Sequence, residues 1–351
     1  MTTLAVLTSG LWRLRRQIEA VTGAEVVRRT LFSRPDFDVV AGWGCKPTSQ
    51  KARALADRQG RAYLSLEDGW IRSIRPGPGE MPLSLVADAA GTHYDSTRPS
   101  DLEAAIAAAA LNVQGLSRAR RGIAMLRSER ISKYNAAPSL SLRRMGLDRR
   151  PAGGRVLVVD QTMGDASIAG GLASVASFGS MLAAAREENP DAEILVKTHP
   201  EVTSGRKRGY LSKVSGPGIR LFHEAVNPWC LFDTVDRVYV VSSQLGFEAL
   251  MADLPVTCFG MPYYAGWGLT DDRVACRRRS ARPTLEQLFA ALYFDYARYV
   301  SPDGARISFE QAVSDLVVAR DQALGTVRSR RGTHATASEP VSVMPSLCAT
   351  G

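Results

Sequence analysis

Short apolar runs alternate along this chain with longer stretches in which apolar positions recur at helical spacing. Runs at residues 4–8, 38–43 and 62–66 read as strands in the first part, and runs at 156–160, 193–198, 238–241 and 256–259 in the second. They are short and rich in Val, Ile and Leu, as strands buried on both faces are. Residues 50–59, 101–111, 168–188, 244–252 and 285–299 read as helices between them. Strands on a helix-alternating beat imply parallel sheets covered on both faces. The pattern occurs twice, and the break falls at Arg149-Arg150-Pro151-Ala152-Gly153-Gly154. The expected fold is therefore α/β, with two Rossmann-like domains, residues 1–150 and 151–325, facing a cleft. A last helical stretch at 309–324 is placed to pack back onto the first domain. Residues 326–351, rich in Ser, Thr, Ala and Pro, read as a disordered tail.

Composition narrows the choice only a little. With 45% hydrophobic and 23% charged residues in 351, the chain is that of an ordinary globular protein of two domains. No run of about 18 apolar residues occurs, so no bilayer-spanning segment is expected. The N-terminus has apolar residues before Arg13, Arg15 and Arg16, the reverse of a secretory signal. Five dispersed cysteines fit neither a disulfide framework nor a zinc site, and are expected to be mostly small core residues in a reducing cytoplasm. Lys and Arg outnumber Asp and Glu by 44 to 35, a net charge of +9 that invites an anionic partner. Aromatic residues are not interleaved with the basic ones, so nucleic acid is not the expected partner. Gly-x-Gly-x-x-Gly after a strand, a Walker loop, a Gly-x-Ser-x-Gly elbow and metal-ligand clusters are all absent.

Candidate chemistry sits where open parallel sheets place it, just beyond the strand ends. After the third run come Glu67-Asp68-Gly69-Trp70-Ile71-Arg72-Ser73. One of two adjacent carboxylates there can act as a general base or acid, although an Asp-Gly turn is the plainer use. The next junction is Asp160-Gln161-Thr162-Met163-Gly164-Asp165-Ala166-Ser167. It can carry a nucleophilic carboxylate, unless Asp165 only caps the following helix. Lys197 and Thr198 lead into His199-Pro200; a His so placed can donate to a phosphate or simply rest on a backbone carbonyl. Ser242-Ser243-Gln244-Leu245-Gly246-Phe247-Glu248 opens a helix. One Ser suffices for a cap, and two suit a phosphate. The segment from Tyr263 to Thr270, with Gly266 and Gly268, reads equally as a cleft loop or a packing turn.

Taken in order, these motifs resemble those of bacterial sialyltransferases, two-domain GT-B enzymes acting on a CMP-activated keto sugar. The resemblance is closer to the KpsC-type capsular polysaccharide β-Kdo transferases. It lies in Trp43-Gly44-Cys45-Lys46-Pro47, Leu66-Glu67-Asp68-Gly69-Trp70-Ile71-Arg72-Ser73 and Tyr94-Asp95-Ser96-Thr97-Arg98-Pro99. It continues through Asp160-Gln161-Thr162, Gly164-Asp165-Ala166-Ser167, Lys197-Thr198-His199-Pro200-Glu201 and Lys207-Arg208-Gly209-Tyr210. The most specific blocks are Ser242-Ser243-Gln244-Leu245-Gly246-Phe247-Glu248 and Phe259-Gly260-Met261-Pro262-Tyr263-Tyr264-Ala265-Gly266-Trp267. The chain departs from the family at His93, where Tyr is usual, and has length for one module where full-length members carry two.

The resemblance implies a GT-B-like fold, the acceptor on the first domain and the CMP-sugar on the second. It implies transfer of Kdo from CMP-β-Kdo, with retention, to a Kdo-containing glycolipid in capsular polysaccharide biosynthesis and export. The nucleophile is then Asp165, with Asp160 as alternative, and Glu67 or Asp68 deprotonates the acceptor. His199, Ser242 and Ser243 would stabilise the CMP phosphate, Gln161, Pro200 and Gln244 would also bind substrate, and Lys197, Arg72 or Lys207 would meet the sugar carboxylate. A monophosphate leaving group requires no bridging metal, and no cofactor is expected. Expected partners are the CMP-sugar donor, the glycolipid acceptor, the inner-membrane surface and other capsule-assembly proteins. The expected location is the cytoplasm, peripheral to that membrane, with Arg328, Arg330 and Arg331 of the tail at its surface. Competing readings are the relative that places the first Kdo on a lipid, another CMP-sugar transferase, and a non-catalytic basic binding protein.

Overall fold

The computed structural model describes residues 1–77 and 79–325. The tail with Arg328, Arg330 and Arg331 lies outside the described residues, as does the side chain of Pro200. The first part of the chain supplies β1 (Thr3–Val6), β2 (Glu25–Arg28), β3 (Val39–Trp43), β4 (Ala62–Asp68) and β5 (Ser84–Asp88). The second supplies β6 (Arg155–Val159), β7 (Glu193–Lys197), β8 (Ile219–Phe222), β9 (Arg237–Val240), β10 (Val256–Cys258) and β11 (Asp271–Asp272). Then β12 (Arg298–Val300) and β13 (Arg306–Ile307) return to the first sheet. Its order is β13-β12-β5-β4-β3-β1-β2, and that of the second sheet is β11-β10-β9-β6-β7-β8. Both sheets have helices between their strands, and the second is parallel throughout.

The helices are α1 (Ser9–Arg13), α2 (Arg15–Thr22), α3 (Pro47–Gln59), α4 (Asp101–Ala107), α5 (Val113–Glu129) and α6 (Ala166–Gly170). They continue with α7 (Val175–Glu187), α8 (Pro200–Thr203), α9 (Trp229–Phe232), α10 (Leu245–Met251), α11 (Leu285–Ala290) and α12 (Phe309–Ala323). The last of these ties to the helix before the second sheet, Glu310 receiving Arg118 at 2.8 Å.

Three expectations are corrected. The first sheet is mixed: β5 runs antiparallel to β4, and β12 antiparallel to β5. The helix expected at 168–188 is two helices, broken at Gly171-Leu172-Ala173-Ser174, where Leu172 takes φ 54°. The stretch at 285–299 leaves α11 as a π-helical segment, Ala291–Tyr296, and ends in β12. Of the described cysteines Cys230 and Cys258 are in the core, Cys276 packs against it and Cys45 is exposed, so most of them serve the core as expected.

The strand ends of the two sheets face each other, and the same ends are tied together. Ser96 N–H donates to the Gly170 carbonyl at 2.7 Å and Ser96 Oγ to the Met261 carbonyl at 2.7 Å. Buried Arg279 binds Ser96 Oγ at 2.7 Å, Glu103 at 2.9 Å and the Ala265 carbonyl at 2.8 Å. Tyr263 packs on Trp70 with ring centroids 4.3 Å apart. Residues 261–265 and 267 are buried, so the 263–270 segment is packing between the lobes and not an open cleft loop. One apolar core therefore runs from Trp70 and Leu126 through Phe247 to Leu157.

Candidate active site

On the first sheet, β4 ends at Glu67 and Asp68, beside the turn that leaves β3. Gly44 in that turn has φ +49°, and a Cβ there would fall 2.5 Å from Glu67 Oε2, so only glycine lets the carboxylate lie against the backbone. The Tyr94 hydroxyl receives the Cys45 N–H at 2.9 Å and is 3.5 Å from Glu67 Oε2. Burial raises the Glu67 carboxyl above its usual range, and the nearby Lys133 ammonium pulls it partly back. Asp68 is spoken for on one side: Arg72 Nε donates to its Oδ2 at 2.8 Å, while Oδ1 is buried without a partner. Arg72 also donates to Ser73 Oγ at 2.9 Å. Two carboxylates adjacent in sequence thus have different environments.

On the second sheet, the loop leaving β6 folds over the start of α10. Asp165 caps α6, its Oδ1 accepting the Ser167 N–H at 2.9 Å, while the residue is exposed. Its Oδ2 is 3.4 Å from Gln161 Nε2. Gln161 is buried and central: its Nε2 donates to Ser242 Oγ at 3.1 Å and its Oε1 accepts the Ser242 N–H at 2.9 Å. Ser167 Oγ closes the set against Ser242 Oγ at 3.0 Å. Asp165 thus caps α6 with one oxygen and meets Gln161 with the other.

Asp160 does not join this network. Its Oδ1 accepts the N–H groups of Gln161 at 2.9 Å and Tyr210 at 3.0 Å, and Oδ2 is buried without a partner against Gly209. A Cβ at 209 would collide with that oxygen, so Gly209 is required for the loop to close over it. Burial raises this carboxyl too. Gln244 also turns elsewhere, donating to the Trp70 carbonyl at 3.3 Å and Glu248 Oε1 at 3.2 Å. Ser243 Oγ accepts the Leu245 N–H at 3.3 Å, and its carbonyl accepts the Tyr264 hydroxyl.

His199 follows β7, with its Nδ1 accepting the Glu201 N–H at 3.1 Å. That bond leaves the proton of the neutral ring on Nε2. Burial lowers its pKa, Lys197 and Lys207 lower it further, and the Glu201 and Asp165 carboxylates oppose them. Pro200 opens α8. Lys197 is buried and its ammonium is lowered to about 8 by desolvation. Lys207 pairs with Glu201 at 2.9 Å.

Four residues that were not among the expected site residues matter here. Tyr94 links the two halves, since its hydroxyl meets Glu67 while its carbonyl lies 2.6 Å from where a Cβ on Gly170 would be. Ser167 completes the Gln161 network. Glu248, buried in α10, receives Ser132 Oγ at 2.7 Å, leaves Oε2 without a partner and has its carboxyl raised by burial to about 7. Lys133 lies near enough to lower Glu67, His93 and Glu248 alike. Tyr94, Ser167 and Glu248 stood inside the motif blocks. Lys133 follows a helix that the periodicity did not mark. His93 is buried against Trp70, its pKa lowered to about 3, so it is a neutral packing residue. Among the described residues no group of three or more His, Cys, Asp or Glu could hold a metal ion.

Two Rossmann-like layers, with polar strand-end loops facing across a cleft, define an α/β protein of the GT-B-like class. The family model of the capsule polysaccharide biosynthesis proteins matches residues 38–299, and the chain belongs to that family. It is 43% identical over 281 residues to the capsule polysaccharide modification protein LipA of Neisseria meningitidis, covering 76% of this chain and 39% of LipA. The lipopolysaccharide-processing protein LpsZ of Rhizobium meliloti is 38% identical over 285 residues, covering 80% of this chain and 64% of LpsZ. The chain thus spans less than two thirds of these curated relatives. The β-Kdo 2,4 transferase structure of Thermosulfurimonas dismutans KpsC is 40% identical with a TM-score of 0.83, covering 90% of this chain and 98% of that one. The β-Kdo 2,7 transferase structure of the same protein is 30% identical with a TM-score of 0.63, covering 91% and 100%.

Proposed function

We propose that this chain is a retaining glycosyltransferase that moves Kdo from CMP-β-Kdo to a Kdo-containing glycolipid in capsule assembly. The reading rests on two carboxylates in the strand-end loops of the two sheets: exposed Asp165, whose Oδ2 accepts Gln161 Nε2 at 3.4 Å, and Glu67, raised by burial. The 40% identity to a KpsC module named a β-Kdo 2,4 transferase supports the sugar and the linkage class.

Asp165 Oδ2 attacks the anomeric carbon of the donor, and the bond to the phosphate oxygen breaks with its electron pair leaving on CMP. The acceptor hydroxyl then gives its proton to Glu67 and attacks the same carbon, and the ester to Asp165 breaks to restore the carboxylate. Two inversions give net retention. His199 Nε2–H and the Ser242 and Ser243 hydroxyls donate to the departing phosphate. Arg72 and Lys207 already hold Asp68 and Glu201, which leaves Lys197 and Lys133 as the better cations for the sugar carboxylate. Asp160 instead anchors the loop that carries Gln161.

Purified protein incubated with CMP-Kdo and a Kdo-terminated glycolipid should give a product one Kdo heavier. Asp165→Ala should lower transfer by at least about a thousandfold, while Asp160→Asn should mainly destabilise the fold. Turnover with CMP-sialic acid and none with CMP-Kdo would overturn the sugar assignment.

A further inference from the structure

β2 lies beside β1 at the outer edge of the first sheet and runs parallel to it, as β1 does to β3 and β3 to β4. The turn that leaves β2 at Arg28 is therefore on the same strand-end side as Glu67. Thr30 fixes that turn: its N–H donates to the Ser33 carbonyl at 2.8 Å, and its Oγ1 accepts the N–H groups of Phe32 at 3.2 Å and Ser33 at 2.9 Å. Closing it leaves Leu31 82% and Phe32 101% exposed at the tip.

Such side chains gain stabilisation only when an apolar surface covers them. No other two of the large exposed apolar residues among the described residues are adjacent in the sequence, and single ones are common on surfaces. Leu31 and Phe32 are adjacent on a hydrogen-bonded tip. Arg28 and Arg34 flank them, both exposed, and Arg29 lies over the Phe37 ring at 5.2 Å. Asp36 and Asp38 are the exposed acids nearby, and Asp38 Oδ2 accepts the Thr3 N–H at 2.8 Å. An apolar tip flanked by Arg28 and Arg34 matches the boundary of an anionic bilayer, where Phe and Leu enter below the headgroups and Arg meets the lipid phosphates.

We propose that the 29–34 turn docks this protein on an anionic membrane surface and so holds the Glu67 side of the cleft toward a membrane-borne acceptor. The docking stands on the turn alone, and its service to the acceptor rests on the glycolipid reading above. The test uses the full chain with vesicles of phosphatidylethanolamine and phosphatidylglycerol, against vesicles of phosphatidylcholine. Leu31→Ser/Phe32→Ser should weaken sedimentation with the anionic vesicles at least about tenfold. It should lower transfer to acceptor embedded in them and leave transfer to a soluble short-chain acceptor unchanged. Equal binding by the double variant, or equal binding to phosphatidylcholine, would overturn the docking turn. Lost binding with unchanged transfer to embedded acceptor would overturn its role in delivery. No transfer to either acceptor would count against the transferase reading and leave the vesicle result to judge the docking by itself.

Discussion

Glu248 shows how a single buried carboxyl sets a measurable property of the whole chain. Its unfolded carboxyl titrates at 4.5 and its folded one at about 7, with burial as the main cause and Ser132, Gln244 and Lys133 opposing it. Between those values the folded protein keeps a proton that the unfolded chain has lost. Stability is therefore greatest below about pH 4.5 as far as this group is concerned, falls as pH rises through about 7, and is flat above. The loss is on the order of 3 kcal/mol. Glu248→Gln keeps a partner for Ser132 and removes the proton, so its urea-unfolding free energy should lack this decline between about pH 4.5 and pH 7. Parallel pH profiles for the variant and the parent would contradict the assignment. Asp165 and Asp160 teach the same lesson from side by side: residues five apart in one loop have opposite exposure, because Gly209 lets the 207–210 segment between β7 and β8 close over one of them alone.

At the scale of elements, α6 decides whether the site is assembled. Its last residue, Gly170, lies against the Tyr94 carbonyl, and its first turn is capped by Asp165. Gly170→Ala has to push Tyr94 away, and with it the hydroxyl near Glu67, so transfer should fall about tenfold or more with the fold retained by circular dichroism. Unchanged transfer would show that this contact does not hold the site. Much of the second sheet was legible in the sequence, since β6, β7, β9 and β10 are continuous apolar runs whose ends come within a residue of the structure. β8 escaped because Arg220 interrupts its pattern, and β12 because three residues after a helix carry no period of their own. α5 escaped because seven of its positions are Arg, Ser or Gln on a largely exposed helix. The motif loops were legible as strand-end chemistry, but which oxygen of each carboxylate is free depends on contacts made by Gly44, Gly209 and Tyr94 from distant parts of the chain.

At the scale of the molecule, two sheets are locked at the rims that hold the candidate site. Ser96, Glu103, Arg279 and the buried 261–267 segment join them, so the site's two halves are positioned by packing that is itself continuous with the core. The net charge of +9 fits anionic ligands at this cleft and an anionic surface at the 29–34 turn. The central claim is that a carboxylate on one lobe carries the sugar until a hydroxyl on the other side receives it. It is tested most directly by intact-protein mass spectrometry after mixing with CMP-Kdo in the absence of acceptor. A covalent adduct of one Kdo that maps to Asp165, disappears when acceptor is added and is missing from Asp165→Ala is the predicted result. Transfer by a protein that never shows the adduct, or an adduct mapped to any other residue, would contradict it.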